Sequence, residues 1–332
     1  MFKNSSAPRF GRVKFAIGME GPAPFIDPGT ATFTYPFNTT YGINVAGRIG
    51  AGSVTNKYER STYSTEVNAT NANLYVGSVY LYSQIIGGST NSMAYGGDTD
   101  NAGAGKLATG DSYTYSTNTR AAATNSLANT RYYGAGGGNT TIGYIVGGCI
   151  IVGSTNVSLL TEKITLATQA VAVGPSLPTG QNNLRAGGND AYLYVVGYTT
   201  ANSKSIRRIA YSANTISTLA AVMTTAFAAA STCRVNGSGT HLYCLAGNDQ
   251  VTGNSATCQK LSLSTETCAS TTNLTAAKND GYAQGTSTKI YAVAGYGSSY
   301  TTAAYGYTTA TDTSAAVTGM NAIDKNVFAA GT

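Results

Sequence analysis

Tyr144-Ile145-Val146-Gly147-Gly148 is a short apolar run that stops on two glycines. Versions of it occur six times. The others are Ile43-Asn44-Val45-Ala46-Gly47, Met93-Ala94-Tyr95-Gly96-Gly97, Tyr194-Val195-Val196-Gly197, Tyr243-Cys244-Leu245-Ala246-Gly247 and Tyr291-Ala292-Val293-Ala294-Gly295. Taking Gly47, Gly97, Gly147, Gly197, Gly247 and Gly295, the intervals are 50, 50, 50, 50 and 48 residues. A period of about 40–50 residues marks a repeat architecture, each repeat being one supersecondary unit. Glycine at the end of the run permits φ > 0 and lets the chain turn out of a strand.

The other parts of the repeat read as strands too. After each Gly strand comes a Gly/Ser/Thr/Asn loop, then a strand feeding a polar turn. Its versions are Tyr63-Ser64-Thr65-Glu66, Tyr115-Ser116-Thr117-Asn118, Leu166-Ala167-Thr168-Gln169, Tyr211-Ser212-Ala213-Asn214, Leu263-Ser264-Thr265-Glu266 and Tyr307-Thr308-Thr309-Ala310. Hydroxyl and amide side chains in such turns bond the local backbone. Small-residue strands follow, such as Ala170-Val171-Ala172-Val173 and Cys268-Ala269-Ser270. A last strand precedes the next Gly strand, as in Arg185-Ala186-Gly187-Gly188, and turns on Gly, Asn, Asp or Ser. The sum is about four antiparallel strands per repeat with no room for a substantial helix. Ala220 to Ala230 sits where other repeats place an outer strand and loop.

Composition agrees. Only 10% of the 332 residues are charged, against about 25% in a typical soluble domain. There are 40 Gly, 24 Tyr and no Trp. Little is left for charged amphipathic helices, and much for strands with small, hydroxyl-rich faces. No stretch reaches the roughly 18 apolar residues of a membrane helix. The expectations are no membrane insertion, no secretory signal and synthesis in a cytoplasm.

Four strands per repeat and an apolar strand ending in Gly-Gly resemble the kelch family of β-propellers. Tyr144 to Gly148 and Ala94-Tyr95-Gly96-Gly97 carry the likeness best, with Tyr115, Tyr211 and Tyr307 resembling the aromatic that closes the third kelch strand. The pattern departs in lacking Trp and in keeping one glycine of two in most repeats. The resemblance implies an all-β, six-bladed propeller over residues 41–332. Asn326-Val327-Phe328-Ala329-Ala330-Gly331-Thr332 is expected to join the first blade as its innermost strand, which closes the ring and removes sheet edges. Residues 1–40 fall outside the repeat and hold five of the seven prolines, so they read as an extended arm with short strands at Arg12–Ile17 and Thr30–Tyr35.

Catalytic chemistry is hard to assemble from these residues. His241 is the single histidine and reads as a surface turn residue, so a Ser-His-Asp triad or a His-based zinc site finds no support. Copper chemistry of the kind found on some kelch-type propellers needs histidines this chain lacks. Asp98-Thr99-Asp100-Asn101-Ala102-Gly103 begins like a calcium loop but lacks the oxygen at Ala102 and a downstream bidentate Glu. Gly103-Ala104-Gly105-Lys106 lacks the Ser/Thr and preceding strand of a phosphate loop. Five widely spaced cysteines make no disulfide framework; Cys233 and Cys244 could face each other across a hairpin, with reduced buried thiols the preferred reading. No enzyme, metal or cofactor is expected.

Contact residues are expected instead in the arm, at Lys3, Arg9, Phe10, Arg12 and Lys14, and in loops, at Tyr132, Tyr133, Tyr296 and Tyr300, with Tyr305 beside them. Basic arms dock on acidic partners, and loop tyrosines suit protein or glycan contact. The composition resembles that of virion proteins of tailed bacteriophages. The expected role is a structural component of a virion (tail, fibre or capsid-attached) that docks on other subunits, nucleic acid being an unlikely partner. The alternative is a carbohydrate-binding propeller, a lectin or adhesin on an extracellular surface, with weak sites repeated per blade.

Overall fold

The computed structural model describes residues 40–49, 53–70, 84–99, 105–150, 157–198, 204–224, 234–237, 240–248, 254–277, 282–293, 303–320 and 330–331. The arm, with its expected strands and its contact residues Lys3, Arg9, Phe10, Arg12 and Lys14, lies outside these residues, as do Tyr296, Tyr300 and Cys233.

Six four-stranded antiparallel sheets follow one another along the chain. Blade one holds β1 (Tyr41–Ile49), β2 (Ser53–Thr62) and β3 (Val67–Thr70). Blade two holds β4 (Gln84–Gly87), β5 (Asn91–Tyr95), β6 (Gly110–Thr114) and β7 (Thr119–Ala122). Blade three holds β8 (Ala135–Gly138), β9 (Ile142–Val146), β10 (Thr161–Thr165) and β11 (Ala170–Val173). Blade four holds β12 (Asn182–Gly188), β13 (Tyr192–Tyr198), β14 (Ser205–Ala210) and β15 (Thr215–Val222). Blade five holds β16 (Arg234–Gly237), β17 (His241–Asn248), β18 (Asn254–Ser262) and β19 (Cys268–Thr271). Blade six holds β20 (Tyr282–Gly285), β21 (Lys289–Val293), β22 (Ala304–Thr308) and β23 (Thr313–Ala316). β24 (Ala330–Gly331) returns to blade one, pairing Ala330 with Asn44 and Gly331 with Ile43. The C-terminal strand therefore completes the first blade, as expected.

The first strands of successive blades lie side by side, β4 on β8, β8 on β12, β12 on β16, β16 on β20, β20 on β24 and β24 on β4, so the ring closes as a six-bladed propeller. Burial explains the composition of each strand. The second strand is packed on both faces, so it reads as a continuous apolar run rather than an alternation; Tyr144, Ile145 and Val146 are all at 0% exposure. The fourth strand forms the rim and is mostly exposed, as in β7, β11 and β23. Apolar clusters lie between neighbouring blades. One joins blades three and four through Tyr144, Val146, Leu193, Val195, Ile209 and Tyr211. Another joins blades four and five through Tyr194, Val196, Leu242, Cys244 and Leu261.

Register corrects the glycine ladder. The last residues of unbroken pairing between second and third strands are Val45, Tyr95, Val146, Val196, Leu245 and Val293, the pairing resuming after a bulge in blades one and five. Their intervals are 50, 51, 50, 49 and 48. Gly147 thus matches Gly96, not Gly97, and the two share φ of 59° and 65°. Ala246 holds the same place in blade five at φ 58°, so a left-handed backbone is required there even without glycine. The even spacing of the glycines mixes two adjacent positions.

A glycine position on the first strand is more regular. Gly87, Gly138, Gly188, Gly237 and Gly285 each pair with the second residue of the second strand. A Cβ on Gly188 would stand 2.1 Å from the Tyr192 carbonyl oxygen, so the hairpin closes only over glycine. The next residue often caps the turn. Asn189 Oδ1 accepts from the Ala191 and Tyr192 amides at 2.9 and 2.8 Å, and Asn139 Oδ1 does the same for Thr141 and Ile142 at 2.9 Å each.

Two further expectations, on Tyr307 and His241, are corrected, while the preferred readings of Cys244 and of Ala220 to Val222 hold. Tyr307 lies inside β22 at the register of Tyr113, opposite Ser314 as Tyr113 is opposite Arg120, and Thr309 takes the place of Tyr115 and Tyr211. His241 begins β17 rather than standing in the turn, half-buried with its ring 6.0 Å from that of Tyr243. Cys244 is opposite Val235, and its thiol is reduced and buried, as are those of Cys149 and Cys258. Ala220 to Val222 belong to outer strand β15.

Candidate functional site

Each third-to-fourth strand turn contains one left-handed residue: Glu66, Asn118, Gln169, Asn214, Glu266 and Asp312, with φ between 51° and 56°. A four-residue turn ending in this conformation fits the twist of a tight hairpin. These residues also fasten the blades. The second-strand tyrosine of one blade donates to the turn of the next: Tyr144 to Asn214 Oδ1 at 2.7 Å, Tyr194 to Glu266 Oε1 at 3.4 Å, Tyr243 to the Thr309 carbonyl at 3.3 Å, and Tyr291 to Glu66 Oε1 at 2.9 Å. Burial pushes the Tyr144 phenol up to about 12, so it stays a donor.

Basic residues reinforce three of these seams. Arg208 pairs with Glu266 at 2.5 Å, Lys260 with Asp312, and Lys289 with Glu66. Arg208 and Lys260 both stand opposite the second-strand tyrosine, where blade six has Gly306. A Cβ on Gly306 would be 2.7 Å from Lys289 Cε. The missing side chain thus leaves the path along which Lys289 crosses to Glu66.

One third-strand position is polar in every blade: Glu59, Asp111, Glu162, Arg207, Gln259 and Tyr305, paired with Asn44, Ala94, Ile145, Val195, Cys244 and Ala292. The first five are at most 7% exposed. Tyr305 is half-buried in β22, so it belongs to a strand rather than a loop. Asp111 pairs with Arg120, and Glu162 with Arg131. Arg131 is fully buried and joins two blades. Its backbone takes the Gly97 amide at 2.7 Å and donates to the Leu107 carbonyl at 3.1 Å in blade two. Its guanidinium reaches Glu162 and the carbonyls of Gly147 and Leu160 at 3.3 and 3.2 Å in blade three. Burial lowers the Arg131 pKa, and Glu162 opposes that. The other Glu162 oxygen accepts the Ala128 amide at 2.5 Å.

Among the described residues, five carboxylates are held in ion pairs: Glu66, Asp111, Glu162, Glu266 and Asp312 all have basic partners. Among the described residues no group of three or more His, Cys, Asp or Glu stands together as a metal site. Asp98 is buried and bridges backbone to backbone with Lys106. The pKa of His241 is lowered by burial and by Lys260, against Asp312.

The antiparallel meander gives the ring two unlike ends. One carries the short hairpin turns, rich in exposed Ser and Thr such as Ser64, Thr65, Ser116, Thr117, Ser264 and Thr265. Thr117 and Thr119 bond at 2.6 Å, and Thr265 and Thr267 and Thr311 and Thr313 each at 2.8 Å. The other end carries the longer connections. There Tyr132 is buried at 6% exposure beneath Lys106, 5.8 Å from its ring, and Tyr133 is half-buried against it with centroids 4.8 Å apart. An apolar cavity of about 170 Å³ opens at blade three between Ala128, Leu160, Glu162, Val171 and Val173.

Sequence reasoning did not find Arg131, Arg207 or the turn locks. The turn residues are regularly spaced three positions after Tyr63, Tyr115, Leu166, Tyr211 and Leu263, a signal available in the sequence.

No family model matches the sequence. No curated protein matches it either. Among solved structures the chain is similar to the one titled "Structure of YjhT", with a TM-score of 0.64 at 12% sequence identity, over 86% of this chain and 98% of that one. At that identity the likeness is one of fold.

Proposed function

We propose that the protein is a non-enzymatic structural component of a large assembly, a bacteriophage virion protein of tail, fibre or capsid surface, whose propeller docks on other subunits or on a host. The observation that carries this reading is the rim. The six outer strands Val67–Thr70, Thr119–Ala122, Ala170–Val173, Thr215–Val222, Cys268–Thr271 and Thr313–Ala316 hold one charged residue, Arg120, and it is paired with Asp111 at 3% and 7% side-chain exposure. Free-standing proteins guard open strand edges with charge, especially lysine. A neutral rim, with Val173 at 77% exposure and Val222 at 54%, suits a molecule that is covered by neighbours. The pairing of five described carboxylates with basic side chains, four of them between blades or their connections, supports a scaffold over an enzyme.

The test is sedimentation of the full chain and of a chain lacking residues 1–40 from infected or producing cells. The full chain is expected in the particle fraction, and the shortened one in the soluble fraction. Free monomer in both cases would overturn the reading. The hydroxyl-covered turn end favours one second reading, glycan binding. A glycan array without signal would remove it.

A further inference from the structure

We propose that blade four binds a small oxyanion (carboxylate or phosphate) at Arg207, between the third strand and the connection from blade three. Arg207 is 7% exposed, and its Nε and Nη1 have no hydrogen-bond acceptor among the described residues. A buried guanidinium is costly unless paired and hydrogen-bonded. The equivalent side chains of blades two, three and five have partners. Asp111 has Arg120, Glu162 has Arg131 and the Ala128 amide, and Gln259 Oε1 accepts from Thr224 Oγ1 at 2.7 Å.

Three features of blade four fit an external anion. Gln181 corresponds to Arg131: the carbonyls of Arg131 and Gln181 accept the Gly97 and Gly148 amides in the same way. Gln181 is 2% exposed and neutral, so the position that gives Glu162 its counter-charge in blade three gives Arg207 none. Pro178 corresponds to Ala128, each following a leucine (Leu177, Leu127) whose amide bonds back to the preceding blade. Proline has no N–H, so the donor that holds the Glu162 carboxylate is absent where the residue is an arginine. Finally, the β14–β15 pairing slips beside Arg207: Arg207 faces Thr218, whereas Ser205 faces Val222. Such bulges re-aim side chains and open the ladder. Burial alone lowers the Arg207 pKa, with no carboxylate opposing it.

The experiment uses the full chain in thermal melts against millimolar sodium phosphate or sodium acetate at constant ionic strength. Wild type is expected to show a saturable rise in Tm that Arg207→Gln lacks. A response to both salts assigns a carboxylate-type ligand, and a response to phosphate alone a tetrahedral dianion. Gln181→Glu places a carboxylate where Arg131 stands in blade three. It is expected to raise the Tm in the absence of added anion and to abolish the response. No saturable rise in wild type, an equal rise in Arg207→Gln, or an undiminished rise in Gln181→Glu would each overturn the proposal. The last of these stands even if Arg207→Gln does not fold.

Discussion

The Tyr291 phenol donates a 2.9 Å hydrogen bond to the Glu66 carboxylate, joining the last blade to the first across 225 residues of sequence. The same carboxylate takes the Lys289 ammonium, and the Tyr63 ring stacks on Tyr291 with centroids 5.8 Å apart. Nearby, Gln284 Nε2 donates to Ser61 Oγ. The closing seam is therefore held by polar contacts as well as by β24.

Glu66 makes that seam sensitive to acid. Burial raises its pKa, but the Lys289 and Tyr291 hydrogen bonds and the Lys289 charge together bring it below its ordinary 4.5. A carboxyl with a lowered folded pKa stabilises fully above the unfolded value and loses that contribution as pH falls through the folded one. Glu66→Gln is expected to cost about 1 kcal/mol at neutral pH, the pair being partly exposed. In urea melts the gap from wild type is expected to shrink as pH falls below 4.5.

Arg131 and Glu162 form a buried pair, so removing one partner strands the other. Arg131→Met is expected to destabilise by about 3–5 kcal/mol. Arg131→Met combined with Glu162→Leu is expected to be less destabilised than the single variant, because no unpaired charge remains. Denaturant midpoints of the two variants check this.

Stopping the chain at Lys325 removes β24. Blade one then keeps three strands and exposes the inner edge of β1. The expected result is loss of a single cooperative melting transition. An unchanged transition by calorimetry would show that the ring does not depend on this strand.

Gly188→Ala is expected to cost about 1–3 kcal/mol, because the added Cβ meets backbone rather than a side chain that could swing away. Ser116→Ala, in an exposed turn, is expected to stay within about 0.5 kcal/mol of wild type. Chemical denaturation of both distinguishes hairpin closure from general surface tolerance.

Blade number, strand order and closure were legible in the sequence because each depends on local apolar runs and turns that recur. The finer alignment was not. Gly147 and Gly97 look equivalent in a list of glycines, yet hydrogen-bond register sets Gly147 with Gly96. Tyr307 looks like Tyr115 and Tyr211 because a polar turn follows all three, yet it lies two residues earlier in its strand. The seam locks were hidden for a different reason. Glu66 and Lys289 are unremarkable surface residues until the ring brings the first and last blades together. Arg207 reads as one more charge in a basic strand; only its neighbours make it unusual.

β24 also sets an order of events during synthesis. Asn44 and its partner Ala330 are 286 positions apart, so blade one is translated first and completed last. On the ribosome, β1 must wait with one side unpaired while five other blades emerge. A nascent chain of this protein carries an exposed strand for most of its translation, and whatever shields that strand acts before the ring exists.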